Sequence, residues 1–583
     1  MKTYTGIPAS AGIAIGRAFL YLEDDFPEIP RYAIRKAQAD SEWERFEKAV
    51  AEAVKEVRAL HEQASREMSR EQADIFEAHL LMLEDTEFHD QLKNRLKNKL
   101  QNIEWIVWDL SHELTQKLGA SPDPLFRERA ADISDVSRRL INKLLSVTRF
   151  SLADLKEDVI LVVHDLLPSD ALVMNKARVK GLAMDAGSRT SHTAILARAF
   201  NIPAVLGLSV LSREIKNGEK IVLNGSSGTV VTNPDRGVLV RHEGEEKQFR
   251  KRADRLLGLR ELPAETLDGH RIAVKANIEF PEEAEQVSRY GAEGIGLYRS
   301  EFLFLAPGKS AEEETQLRAY RHVLKTMGKL PVTIRTVDVG GDKILPDLQA
   351  LDEKNPLLGW RAIRFSLANP ELFKAQLRAI LRASIDGNVR IMFPMISGIE
   401  ELERARALFD DAREECRKKS YPFAEDIEVG TMIEIPSAAM TADILAEKSD
   451  FFSLGTNDLI QYTLAADRGN EKVNYLGQPC HPAVLRFLER TINAAHEKGI
   501  KAAMCGELAG DPAVTALLVG LGLDEFSMAA SSIPVVKQII RGVSFAGCKA
   551  LAEKALEGRS VDGVRSVIEE WMAKNFPGGR YGV

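Results

Sequence analysis

At 583 residues the chain is too long for a single hydrophobic core, and roughly three or four domains are expected. Its 45% hydrophobic and 28% charged residues are the balance of an ordinary globular protein. A formal net charge of −8 argues against nucleic acid as a partner, and no apolar run reaches the ~20 residues that cross a bilayer, so no membrane insertion is expected. The start, Lys2-Thr3-Tyr4-Thr5-Gly6, lacks the apolar segment of a secretory signal. Cys416, Cys480, Cys505 and Cys548 show neither metal-ligand nor disulfide-framework spacing. Both features point to a reducing cytoplasm.

In chain order, Lys2 to about Glu23 reads as short strands punctuated by Gly6, Gly12 and Gly16. From Ile34 the pattern turns helical. Trp43, Phe46, Val50, Ala53, Val57, Leu60 and Ala64 recur every three or four residues, which predicts a long amphipathic helix. Further helical patterns at 76–83, 103–118 and 133–144 extend this into an all-helical insert. Strand patterns return at 158–164 and 179–184. Lys220 to Thr232 reads as a hairpin about Gly225-Ser226-Ser227-Gly228.

Between these strands, Asp185-Ala186-Gly187-Ser188-Arg189 leads into Thr190-Ser191-His192-Thr193-Ala194. Here a flexible Gly-Ser segment turns into a helix. Helix starts carry unpaired N–H groups and partial positive charge, so they favour anions. His192 is thus placed to accept a phosphoryl group and hold it as a dianion. Position alone serves an ordinary capping histidine equally well.

The predicted division is residues 1–25 plus 148–234 as a small α/β domain, 26–147 as its helical insert, and 235–262 as a charged linker helix. Residues 263–583 then carry a repeating βα texture. Strand candidates begin near Arg271, Gly294, Val332, Val389, Ile427, Phe451, Ala502 and Asp524. Helical patterns such as 281–290, 313–327, 399–417 and 482–498 separate them. Eight such units predict a (β/α)8 TIM barrel, and so an α/β multidomain protein.

In such a barrel the chemistry sits at the C-terminal strand ends. The polar residues read there are Lys275 and Asn277, Arg299 and Glu301, Arg335 and Asp338, Glu434, Asn457 and Asp458, and Cys505 and Glu507. Arg361 and Arg364 open a helix, and Arg468 lies just past the sixth strand. Carboxylates with a phosphate oxygen suit Mg²⁺. Arginine forks suit a phosphate and a carboxylate on one small ligand. Cys505, beside that rim, is placed either as inert packing or as a proton donor. Gly294-Ile295-Gly296 lacks the later glycine and the acid of a dinucleotide site, and no Walker A sequence is present.

Several strings in this order carry a resemblance over essentially the whole chain. They are the histidine segment 187–198, GIGLYRSEFLFL at 294–305, RTVDVGGDK at 335–343, NPLLGWRAIR at 355–364, MIEIPS at 432–437, FSLGTNDLIQYTLAADR at 452–468, MCGELAG at 504–510 and GLGLDEFSM at 520–528. The chain resembles enzyme I of the bacterial phosphotransferase system, the phosphoenolpyruvate–protein phosphotransferase family. The resemblance implies that His192 accepts the phosphoryl group from phosphoenolpyruvate and passes it to a histidine of the carrier HPr, with release of pyruvate. It assigns Arg299, Arg335, Arg361, Asn457 and Arg468 to the substrate, Glu434 and Asp458 to Mg²⁺, and Cys505 to protonation of the enolate. It implies a homodimer through the barrel and an HPr-docking role for the helical insert. Phe76, His79 and Leu83, spaced on one helical face of 74–85, fall in that docking region, although apolar residues at that spacing are more often core.

The chain departs from the family pattern at Ser188, where a glycine is usual, at Ser10-Ala11-Gly12, and at Leu167, where a threonine is common. Leu167 and Ser188 bear on the support of the histidine, not on its identity. A phosphohistidine that must serve both the barrel and another protein predicts a swing about residues 235–262. Phosphoenolpyruvate synthase and pyruvate phosphate dikinase share the histidine domain and barrel. They also need a nucleotide-grasping domain for which this chain has no room. A non-catalytic phosphoenolpyruvate-sensing regulator would not need the full His, Arg, Glu, Asp and Cys set.

Overall fold

The computed structural model describes residues 1–577 apart from 22–28, 68–75, 77–78, 120–123, 146–151, 167–169, 171–173, 176, 187–201, 306–311, 341–354, 468–469 and 471. The chain forms two compact units, Met1–Arg252 and Ala253–Gly582.

The first unit is built on an eight-stranded sheet. Its strands are β1 (Lys2–Thr5), β2 (Ile7–Ser10), β3 (Ile13–Tyr21), β4 (Val159–Val163), β5 (Val179–Met184), β6 (Ala204–Leu206), β7 (Lys220–Asn224) and β8 (Thr229–Thr232), in the order β1-β8-β7-β3-β4-β5-β6-β2. The short Val-, Ile- and Leu-rich runs form strands because both faces are covered. Leu161 and Val163 of β4 enter one apolar core, and Ile160 and Val162 enter another. Strands β3 and β4 are parallel neighbours, with Tyr21 opposite Val163. The helical segments therefore enter and leave the sheet at adjacent strands, as an insertion in one connection.

Within that insertion the helix Ala39–Glu67 buries Phe46, Ala49, Ala53 and Val57, a three-to-four-residue stripe. It packs with Thr86–Lys99, Ile103–Gly119 and Pro124–Leu144. Phe76, His79 and Leu83, expected on a docking face, are at most 1% exposed. Their spacing serves the helical core instead. His79 stacks edge-on against Phe76 and faces Asp132 at 3.5 Å. Leu81, on the same segment, is 68% exposed. After β8, Asp235 Oδ1 accepts from the Val238 N–H and starts the helix Arg236–Leu257.

The second unit closes into a barrel. Its strands are β9 (Ala264–Glu265), β10 (Arg271–Ile278), β11 (Ile295–Arg299), β12 (Val332–Arg335), β13 (Val389–Phe393), β14 (Glu428–Ile433), β15 (Phe451–Leu454), β16 (Lys501–Met504) and β17 (Glu525–Ala529). Neighbours from β10 to β17 all pair in parallel, and β17 pairs back with β10. The short β9 adds an antiparallel hairpin outside the ring. The chain is thus a multidomain α/β protein ending in an eight-stranded parallel barrel. The predicted helix at 281–290 is broken into three short turns, Pro281–Glu283, Ala284–Val287 and Ser288–Tyr290. Asp268 lies between β9 and β10, and its carboxylate accepts from the N–H groups of Phe545 and Ala546, capping the helix Phe545–Leu556.

Lys275, expected at the rim, is inside the barrel. β10 runs on to Ile278, and Lys275 Nζ is 2.5 Å from Glu525 Oε2. Arg390 Nη1 reaches the same carboxylate at 3.1 Å, and its guanidinium lies over the Phe451 ring. These groups neutralise one another near the strand starts. They are part of the barrel's packing.

Candidate active site

Strand ends deliver the charges. Arg299 and Arg335 end β11 and β12 and are register partners across that pair. Arg335 Nη2 donates to Glu301 Oε1 at 2.6 Å, and Nη1 lies 3.1 Å from Asp338 Oδ2. Arg361 forks onto Asp338 through Nε and Nη2, at 3.1 and 2.9 Å. Its Nη1 donates to Asp458 Oδ1 at 3.4 Å and to Tyr462 Oη at 3.3 Å. Asp338 therefore joins the two guanidinium groups. Arg335, Glu301, Asp338, Arg361 and Asp458 are all buried, while Arg299 is half-buried. Burial alone would lower both arginine pKa values, but the facing carboxylates more than offset it and hold both well above the ordinary range.

Glu434 follows β14 and is 1% exposed. Burial, then the charges of Asp458 and Asp338, push its carboxyl up to about 8. Two further features set its position. Oε1 accepts from the Met395 N–H at 2.6 Å. A side chain at Gly455 would put a Cβ 2.6 Å from Oε2, so only glycine leaves that oxygen free. Glu434 and Asp458 fit a hard divalent cation. Both are oxygen donors, and a cation would offset the burial and the carboxylate repulsion that raise the Glu434 pKa. Among the described residues no group of three or more His, Cys, Asp or Glu is arranged to hold a metal ion. A pair of carboxylates leaves the other positions to water and substrate oxygens, as Mg²⁺ prefers.

Around this centre, Asn457 and Glu507 exchange hydrogen bonds, both at 3.2 Å. They line a cleft of about 420 Å³ with Thr456 and Asp511. A second cavity of about 580 Å³ is lined by Met395, Ile435, Tyr462 and Arg364, among others. Arg364 itself donates to the carbonyls of Leu358 and Gly359 and holds that loop, outside the ion cluster. Cys505 follows β16 and packs with Leu297, Met392, Met432 and Phe451, the apolar layer inside the barrel. Its carbonyl accepts from Asn277 Nδ2 at 3.0 Å. Burial pushes the Cys505 thiol up, so it stays protonated at neutral pH. The Nε atoms of Arg299 and Arg335 are buried and have no hydrogen-bond partner in the protein.

Several contributors carry little sequence signal. Met395 sits at φ 56°, a left-handed conformation rare outside glycine, and it follows an apolar strand end. Tyr462 Oη donates to the Leu357 carbonyl at 2.6 Å and backs Arg361. Gln376 is fully buried. It donates to Ser300 Oγ and accepts from the Val337 N–H, tying the loops after β11 and β12 together. Strictly local patterns do not expose such links, although a glutamine on the apolar face of Pro370–Ala383 was a usable sign.

His192 and Arg468 lie outside the described residues, as do Leu167 and Ser188. The flank of the histidine segment is described. Asp185 is 4% exposed; its carboxylate accepts from Leu211 N and from Ser212 N and Oγ. That fixes the end of β5 where the segment begins.

A parallel barrel with arginine and carboxylate groups gathered at its strand ends has the layout of an enzyme site for a small anion. The family models narrow that class. Residues 253–545 match the phosphoenolpyruvate-binding domain of phosphoenolpyruvate-utilising enzymes, residues 5–129 their N-terminal domain, and residues 155–228 their mobile domain. The chain is 41% identical over 570 residues to the phosphoenolpyruvate-protein phosphotransferase of Staphylococcus carnosus, covering 98% of this chain and 99% of that one. It is equally 41% identical to the protein of the same name from Bacillus subtilis, over 98% of this chain and all of the other. The Haemophilus influenzae protein of that name matches at 41% over 98% and 99%. The chain belongs to the phosphoenolpyruvate-protein phosphotransferase family, enzyme I of the phosphotransferase system.

Proposed function

We propose that this enzyme moves the phosphoryl group of phosphoenolpyruvate to His192 and then to a histidine of HPr, releasing pyruvate at the first step of sugar uptake. The observation that carries the reading is the gathering of Arg299, Arg335 and Arg361 with the carboxylates Glu434 and Asp458 at the strand ends of one barrel.

In this reading Arg299, Arg335, Arg361 and Arg468 grip the phosphate and carboxylate, with Asn457 on the phosphate. Charge spread over the transferring group is neutralised by guanidinium groups that neighbouring carboxylates already hold in place, so little reorganisation is needed. Glu434 and Asp458 would hold Mg²⁺, which when bound would supply further neutralisation of phosphate charge. A neutral imidazole nitrogen of His192 bonds to phosphorus as the bond from phosphorus to the enolate oxygen breaks. Neutral imidazole is abundant near pH 7, since its free pKa is about 6.5. The Cys505 thiol gives its proton to the enolate's terminal carbon, forming pyruvate, and recovers one from solvent.

The reading includes the division into 1–25 plus 148–234, 26–147, 235–262 and 263–583. The histidine domain swings about the linker, the helical insert receives HPr, and the barrel forms a homodimer in the cytoplasm. Among the described residues no helix is long and apolar enough to cross a membrane. Sedimentation of the purified chain tests the dimer, and a crosslink holding histidine domain and barrel apart tests the swing. The central test is labelled phosphoenolpyruvate with Mg²⁺. Acid-labile, base-stable label on His192, lost in His192→Ala and passed to added HPr, is the expected result. Unlabelled wild type, or equal label on His192→Ala, sinks the reading.

A further inference from the structure

The rim arginines are not held alike. Arg335 and its partners Glu301 and Asp338 have side chains at most 8% exposed, and Arg361 is 9% exposed beside Asp338. These pairs are permanent, because separating them would leave a bare charge in the protein interior. Arg299 differs. Its Nη1 pairs with Glu279 Oε1, and the two side chains are 38% and 52% exposed. Strand register explains why they meet. Ile278 stands opposite Tyr298 across β10 and β11, so the next residue along each strand is Glu279 or Arg299. The main chain at Glu279 is fixed from behind, since Glu283 Oε2 accepts from the N–H groups of Glu279 and Phe280 at 2.6 and 3.1 Å. With its main chain held, Glu279 can leave Arg299 by turning its side chain alone.

We infer that Glu279 is an exchangeable counter-ion for Arg299, occupying the guanidinium between turnovers and yielding it to the phosphate of the substrate. The inference rests on the reading that Arg299 grips phosphate. An exposed ion pair is worth at most about 1 kcal/mol, so a multiply charged phosphate displaces it readily. The displacement takes the same free energy from every anion that binds Arg299, so Glu279 weakens phosphoenolpyruvate and inorganic phosphate by one common factor. It tunes anion affinity through Arg299 and does not touch the reacting atoms.

The test uses the full chain with Mg²⁺, measuring KM and kcat for phosphoenolpyruvate and the inhibition constant of inorganic phosphate. Glu279→Gln keeps the shape and removes the charge. The expected result is a KM about two- to fivefold lower, the span set by exposed ion pairs, and a phosphate inhibition constant lower by a similar factor. Thermal midpoint and kcat stay close to wild type, and Glu279→Asp returns KM toward the wild-type value. A structural role would move the thermal midpoint and leave phosphate inhibition alone. An unchanged or higher KM in Glu279→Gln, with Arg299→Ala binding phosphoenolpyruvate weakly, overturns this inference alone. If Arg299→Ala binds phosphoenolpyruvate as tightly as wild type, the assignment of Arg299 to phosphate is what fails.

Discussion

The main-chain N–H of Met395 points at Glu434 Oε1 across 2.6 Å, from a backbone held at φ 56°. This bond leaves Oε2 as the oxygen facing Gly455, where any side chain would intrude. Two substitutions follow from that geometry. Glu434→Gln preserves shape and the Met395 bond but removes the charge, and self-phosphorylation should fall about 10²–10³-fold. Gly455→Ala leaves the charge and crowds it, and should weaken apparent Mg²⁺ affinity about 10–100-fold. Titrating activity against Mg²⁺ separates the two. Wild-type Mg²⁺ response in both variants would remove Glu434 from the metal site.

Cys505 is buried against apolar side chains that keep its thiol protonated. As the acid that completes pyruvate, it should be needed as such. Cys505→Ala is expected to slow pyruvate formation about 10²–10⁴-fold, the usual worth of a positioned acid. Cys505→Ser should fare no better, because a hydroxyl parts with its proton far less readily. The assay is pyruvate release under saturating phosphoenolpyruvate. Full turnover in Cys505→Ala would return this residue to simple packing.

Leu81 and Phe76 lie five positions apart on one segment yet differ completely in exposure, 68% against 1%. Phe76→Ala should cost about 3–5 kcal/mol in stability of the helical part, as large core truncations do. Leu81→Asp should leave stability nearly unchanged and raise the KM for the carrier, with self-phosphorylation intact. Transfer to HPr, followed by label exchange, measures this. A carrier KM unmoved by Leu81→Asp would place docking elsewhere on the insert.

Cys548 supplies a pH effect with a definite sign. Its ordinary value is 9.0, and burial pushes the folded thiol up to about 12. Between these values the unfolded chain has lost the proton and the folded chain keeps it. Stability is therefore full below pH 9 and declines as pH rises from 9 toward 12. Urea midpoints of the barrel at pH 8.5, 10 and 11 should fall in wild type. They should fall less steeply in Cys548→Ala, although that variant starts lower. Parallel slopes would show that Cys548 does not set the dependence.

Legibility in the sequence follows the range of the interaction. The strand Val179–Met184 and the helix Glu313–Met327 form at the positions their patterns predict, because a covered strand or a one-sided helix repeats its apolar residues locally. Arg335, Glu434 and Asp458 are legible as a group because a barrel brings all strand ends to one mouth. Lys275 is misplaced by sequence because its role depends on Glu525, 250 positions away. Phe76, His79 and Leu83 share the three-to-four spacing of both a docking face and a core face, and only burial separates these. Met395 and Glu279 are invisible for a further reason. One acts through a main-chain N–H and a rare φ, the other through the register of two strands.

Asp268 caps a helix 277 positions further along the chain, and β10 needs β17 as its second neighbour. During synthesis the first barrel strand therefore emerges long before its last partner exists. The β11 side of β10 can pair early, while its other edge stays bare until Glu525–Ala529 and then Phe545–Leu556 have left the ribosome. Bare strand edges recruit other chains. The nascent barrel thus passes through an open sheet of up to seven strands, whose β10 edge is closed only when the last strand arrives.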